Sequence, residues 1–403
     1  MRVSTNNLFE AGIAAINRQQ QDLLKTQQQL STGRRVLTPA DDPIASTRAL
    51  QVEQADAVNA QYGINGKAAA ASLGLAEQAL AHGIGALQNV RARIIEAGNG
   101  AFGFKELRSI AADLRGLRAE LLGAANATDG EGLYLFAGYQ AGAKPFVETA
   151  GGVQYVGDDG VRRAQVSASR QIAVSDSGAD AFMRIPQGNG SFVVSAAAGN
   201  TGNGTYDLGS VTDPALLTGA DYRIDFTVAA GVTTFDVVNV TSGATVLAAQ
   251  PYASGAAIEF DGVRIQIAGA PANGDRFDIA PGRNQDIFAT LDGLIGALEG
   301  FSADDAGRAR LTNGLTTAVG NVDQALDRLA MTRSNIGTRM REVESLAASG
   351  EDLSLQYQQT LSGLRDLDYA KAISDLTRQR TYLEAAQQTF LQVSRLSLFD
   401  FLR

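Results

Sequence analysis

A single histidine, His82, is the only side chain in the sequence whose ordinary pKa lies near neutrality, so it is the first place to look for proton chemistry. It stands beside Gly83 and Gly85 on a helix-patterned stretch, with no second group at catalytic spacing, and reads as a structural residue. Two pairs of adjacent acids come next. Asp41-Asp42 could be offered as an acid/base pair, but neighbouring carboxylates next to Pro43 are more simply a turn and a helix cap. Gly157-Asp158-Asp159-Gly160 could hold calcium, yet the spaced oxygen ligands of a calcium loop are missing, and a hairpin loop joining residues 153–156 to 161–166 is expected. Gly199, Gly202 and Gly204 lie among Asn and Thr as a turn, not between strand and helix as a dinucleotide fingerprint does. Neither HExxH, GxxxxGK[ST] nor GxSxG occurs. With no cysteine there is no disulfide, thiolate nucleophile or thiolate metal site. No enzyme, cofactor or metal is expected.

The elements that would carry such residues are better defined than the residues themselves. At 403 residues the chain exceeds one ordinary core and is expected to divide. No run of eighteen apolar residues occurs, so no membrane partner or span is expected, and Met1 to Gln29 is polar and heptad-patterned instead of leader-like. The formal charge of −9 is concentrated between Pro145 and Pro281, where fourteen acids face seven arginines. This segment reads as a solvated outer domain, and with no basic stripe to neutralise phosphates no nucleic-acid partner is expected.

Both ends carry heptads. Tyr369, Leu376, Leu383 and Phe390 are seven apart, and Ala372, Gln379, Ala386 and Val393 follow three residues over, the a/d pattern of a helix with a narrow seam. Phe9, Ile16, Leu23 and Leu30 repeat the signal at the N-terminus. The last residues, including Leu398, are too apolar to remain in water without a partner. These ten residues, Phe9, Ile16, Leu23, Leu30, Tyr369, Leu376, Leu383, Phe390, Val393 and Leu398, are the candidate assembly interface; an intramolecular helical hairpin is the alternative reading of the same pattern. A two-helix seam buries little, so the arms are expected to be frayed alone and stable among neighbouring copies' arms.

Between the arms, Gly33 reads as the residue that ends the first helix, Thr38-Pro39 as an extended connector, and Asp42-Pro43 as the cap and first residue of the next helix. Leu73, Leu80, Leu87 and Ile94 then mark a second long helix, and Leu107 to Leu121 a third. From Asp129 the period turns to that of strands, and after Pro281-Gly282 helices return, over 286–298 and 304–348, before Ser349-Gly350. The fold expected is mostly α with an inserted β domain: a coiled-coil arm (1–35), a helical-bundle body in two halves (36–140 and 282–350), a β-rich outer domain (141–281), and a second arm (351–403) packing against the first.

Several motifs resemble the bacterial flagellin family. They are Met1 to Thr5, the pattern SxGxRxxxPxDDPxxxxxA from Ser31 to Ala49, LDYAKAISDLTRQRTYLEAAQQTF from Leu367, and the SLFDFL ending. The resemblance implies a structural subunit exported through the flagellar type III apparatus to the extracellular flagellum, with its C-terminal helix held by an export chaperone. It also implies assembly with other copies in a ring, between a preceding hook-associated junction protein and the flagellin filament. Flagellin itself is the alternative. The ending Ser397-Leu398-Phe399 and the several arginines of the terminal helix favour the junction reading. A secreted coiled-coil adhesin would keep the arms but leave the capped connector unexplained.

Overall fold

The computed structural model describes residues 5–395, with side chains from Glu10 to Gln392. Six helices frame the fold: α1 (Thr5–Thr32), α2 (Pro43–Ala97), α3 (Phe104–Ala125), α4 (Ile287–Glu299), α5 (Asp305–Arg365) and α6 (Tyr369–Arg395). Strands lie between α3 and α4. The chain divides into two compact units, residues 1–64 with 346–403, and residues 65–345.

In the larger unit, the heptad residues of α2 do what their spacing predicts: Leu73, Leu80, Leu87 and Ile94 are fully buried. Facing them are Leu107, Leu114 and Leu121 of α3, Leu291 and Leu298 of α4, and Val322, Leu329 and Ile336 of α5, all buried in the helical body. Asp286 caps α4, its Oδ1 accepting from Ala289 N at 2.6 Å.

The segment expected to be one β insertion over 141–281 is physically two parts. The hairpins Phe146–Thr149/Gly152–Tyr155 and Arg163–Ser167/Arg170–Ala173 lie on the helices. Phe146 stacks on Phe182 and Phe288, Asn65 Nδ2 donates to Gln165 O, and Ser72 Oγ donates to Val174 O. A separate core then forms from Phe192 to Ile279. Its first sheet is antiparallel, in the order 245–251, 232–239, 222–229, 276–281, 192–196, and the second is built on Val263–Ala268. Alternation decides the faces: Tyr222, Ile224 and Phe226 point inward with Val263, Ile265 and Ile267. A two-rung ladder, Ile185 with Gln285 and Pro186 with Asn284, forms the neck of this domain.

Two further expectations need correction. Gly157 to Gly160 is not a hairpin loop, because Asp158 Oδ1 accepts from Tyr139 N and Gly160 N and ties the loop back to the preceding turn. The helix also does not end at Ser349-Gly350. One glycine costs a helix about 1 kcal/mol. Around it Asn59 Nδ2 donates to Gly350 O and Ser354 Oγ to Asp56, so α5 runs unbroken to Arg365 and the arm does not begin at 351 as a new helix. The break falls at Asp366 to Asp368, where the backbone is diverted into a bridge with Arg34.

Candidate assembly surface

The smaller unit is organised around the connector. Gly33 has φ +68°, a left-handed conformation that ends α1, and a Cβ there would come within 2.7 Å of the Tyr369 hydroxyl. Arg35 N donates to Arg365 O and Leu367 N to Gly33 O, so the end of α1 is sewn to the break between α5 and α6. Pro39 sits exposed in the turn that follows. Asp41 staples that turn: Oδ2 accepts from Leu37 N, Thr38 N and Thr38 Oγ1, while Oδ1 lies 2.7 Å from Lys25 Nζ. The Lys25 ammonium, then the Thr38 N–H, hold the Asp41 carboxyl well below the usual carboxylate range. Asp42 caps α2 through Ala45 N at 2.9 Å, with Pro43 as the first helical residue. That N–H, and then Arg35, lower its carboxyl as well. Arg35 also reaches Leu364 O, and Arg365 pairs with Glu53.

From this hub α1 and α6 lie side by side in opposite directions. Gly12 faces the Phe390 ring and Gly33 faces Tyr369, two pairs three heptads apart. An unbroken register between them sets Ile16 against Ala386, Leu23 against Gln379 and Leu30 against Ala372. Ile16, Leu23, Leu30, Leu376, Leu383 and Phe390 are accordingly half-buried along the seam, and Ala372 is buried. Tyr369 departs from its column: its hydroxyl rests over Gly33 and its side chain is 53% exposed. The side chains of Phe9 and Val393, and all of Leu398, lie outside the described residues.

The seam leaves much apolar surface uncovered. This unit is less than a third of the chain, yet twelve of the twenty-two exposed large apolar side chains among the described residues belong to it. Ile13 and Leu24 on α1, Ile44 and Leu50 on α2, and Ile373 and Leu391 on α6 are examples. For its size the smaller unit thus exposes more large apolar side chains than the rest of the described residues.

Nothing comparable points to catalysis. His82 is exposed on α2, and among the described residues no group of three His, Asp or Glu is placed to hold a metal ion. A cavity of about 230 Å³ beside the start of α5 is lined by Ala, Gly and Asn, with Ser195, Tyr206 and Arg310. No described helix is long and apolar enough to cross a membrane. Local sequence reasoning missed Lys25, Arg35, Glu53 and Arg365, whose partners are distant in the chain. Arg35 alone had a signal, its place in the Ser31 to Ala49 pattern.

Comparison with known proteins agrees with this geometry. Residues 3–141 match the bacterial flagellin N-terminal helical region, and residues 319–402 the flagellin C-terminal helical region. Residues 195–281 match the D2-like domain of flagellar hook-associated protein 1. The chain is 30% identical over 401 residues to flagellar hook-associated protein 3 of Escherichia coli K12, covering 99% of each. It is also similar to the crystal structure of hook-associated protein 3 from Legionella pneumophila (TM-score 0.74, 28% identity, 78% of this chain and 98% of that one). For FlgL of Xanthomonas campestris the TM-score is 0.72, with 31% identity over 77% of this chain and 99% of that one.

Proposed function

Since the chain belongs to the flagellar hook-associated protein 3 family, we propose that the uncovered apolar faces of its smaller unit are where copies of it assemble at the junction. It is a structural subunit of the bacterial flagellum, joining the hook to the flagellin filament. The protein therefore works outside the cell, among flagellar hook and filament components. Among its relatives, FlgL of Legionella pneumophila is a flagellar junction protein. The observation that carries the assembly reading is the excess of exposed large apolar side chains on α1, α6 and the ends of α2 and α5 that lie in the same unit. Burying one such side chain contributes about 1.5 to 3 kcal/mol, set against an association cost of about 4 to 15 kcal/mol, so each interface of a ring must bury several of them.

The finer reading is that the arms, residues 1–35 and 351–403, form concentric layers with the arms of other copies, the column residues of the α1–α6 seam holding each copy's own arms together while the exposed Ile13, Leu24, Ile373 and Leu391 supply the contacts between copies. One face of the ring meets the preceding hook-associated junction protein and the other meets flagellin. Before assembly, export proceeds through the flagellar type III apparatus with the C-terminal helix held by a chaperone. Within residues 65–345, the helices and the hairpins packed on them serve as body, and the β domain built on Phe192 to Ile279 as outer surface.

Electron microscopy of a strain lacking the gene tests the reading. Hooks without filaments, with flagellin shed into the medium, are expected. Unaltered flagella would overturn it.

A further inference from the structure

The β domain beyond the neck strands has so far been only an outer surface, and its neck is narrow: two rungs, the bonds from Gln187 N to Arg283 O and Gln187 Nε2 to Gln285 Oε1, and the bond from Gly282 N to Ser191 O that leads into the domain's own sheet. A neck of that size alone is a hinge. Beyond it, however, α5 grips the domain directly. Asn313, Thr317 and Asn321 recur four residues apart, on a face well away from the buried stripe of Leu315, Val322 and Leu329 that packs into the body.

Asn313 is only 4% exposed; its Oδ1 accepts from Tyr206 N at 3.0 Å and its Nδ2 donates to Gly204 O at 3.1 Å. Thr317 Oγ1 lies 2.8 Å from the Tyr206 hydroxyl. Asn321, 5% exposed, accepts from Gly188 N at 2.8 Å. Between them Gly320 lets the domain come close, since a Cβ there would meet Leu208 at 2.7 Å. Asparagine is a poor helix residue and a buried amide is costly unless partnered, so α5 gains nothing from these residues for its own sake. Their partners are backbone groups at two separate places, Gly204 and Tyr206 at the start of a strand and Gly188 in the turn just past the neck. Two such points beyond the neck remove the freedom to swing.

We propose that Asn313 and Asn321 are positioning residues that lock the β domain at one angle to α5, so that it acts as a rigid brace and not as a tethered appendage. The inference goes beyond the junction reading and does not depend on it, because it can be tested on the purified full chain.

The sequence has no cysteine, so Ala248→Cys in the β domain and Ser334→Cys on α5 can be spin-labelled without background. Both positions are exposed. The unaltered dock should give one narrow distance distribution. Asn313→Leu and Asn321→Leu should lose it to a broad one while circular dichroism shows the helices intact. The aspartates separate a lock from mere packing. Asn321→Asp retains an acceptor for Gly188 N and should stay narrow, whereas Asn313→Asp can no longer donate to Gly204 O and should broaden. Narrow distributions in both leucine variants, or aspartate variants that behave alike, would overturn the proposal.

Discussion

Asp41 and Asp42 are neighbours with different work. Asp42 faces forward and caps a helix; Asp41 faces back and holds the turn together with Lys25. Because the folded structure depresses the Asp41 carboxyl, its contribution is fully present above the unfolded value of about 4 and is lost as pH falls through the lower folded value. The stability of the arm should therefore begin to fall as pH drops below about 4 and go on falling in stronger acid; Asp41→Asn should show a lower melting temperature at pH 7 and a flatter acid profile. Gly33 carries a separate constraint. Gly33→Ala forces a side chain into a left-handed conformation and against the Tyr369 hydroxyl, and should cost about 1 to 2 kcal/mol in thermal unfolding. The cap and the glycine were legible because capping is local: Asp42, Pro43 and Gly33 announce themselves within three residues. Asp41's partner was not, since no periodicity relates position 25 to position 41.

Among elements, the helices follow the apolar repeat closely and fail where tertiary contacts compete with it. Gly350 looked like a helix end and is not one, because Asn59 and Asp56 of α2 hold that turn. The real break, at Asp366 to Asp368, contains neither proline nor glycine and is imposed by Arg34 and Gly33 from the other end of the chain. The seam itself was readable from spacing alone, which is why Ile16, Leu23, Leu376 and Leu383 fall where the heptads put them. Leu383→Asp or Phe390→Asp places a carboxylate in that seam, with an expected loss on the order of 2 kcal/mol or more in α1–α6 pairing. Either variant should fail to support filaments when returned to the deletion strain, while hydrogen exchange of Phe192 to Ile279 remains unchanged. Normal filaments would show that the seam is dispensable.

For the molecule, what matters is which parts can be removed. The β domain leaves and rejoins the body through adjacent strands, and the α5 face it covers presents Asn313, Thr317 and Asn321, so its removal uncovers polar groups that water can satisfy. Replacing residues 188–282 by a short linker should cost less in secretion and motility than deleting 374–403, which strips α1 of its partner. The reverse order would make the β domain the functional part. That the middle segment splits into body hairpins and a separate domain was not legible, because both are strand-rich and only long-range packing, such as Phe146 on Phe288, tells them apart. The sewing of Gly33 and Arg35 to Arg365 and Leu367 has one more consequence, for time. It closes a loop of some three hundred residues, so in synthesis α1 is made early and finds its partner last. The larger unit can be finished while the N-terminal helix is still waiting, open to whatever machinery reads it.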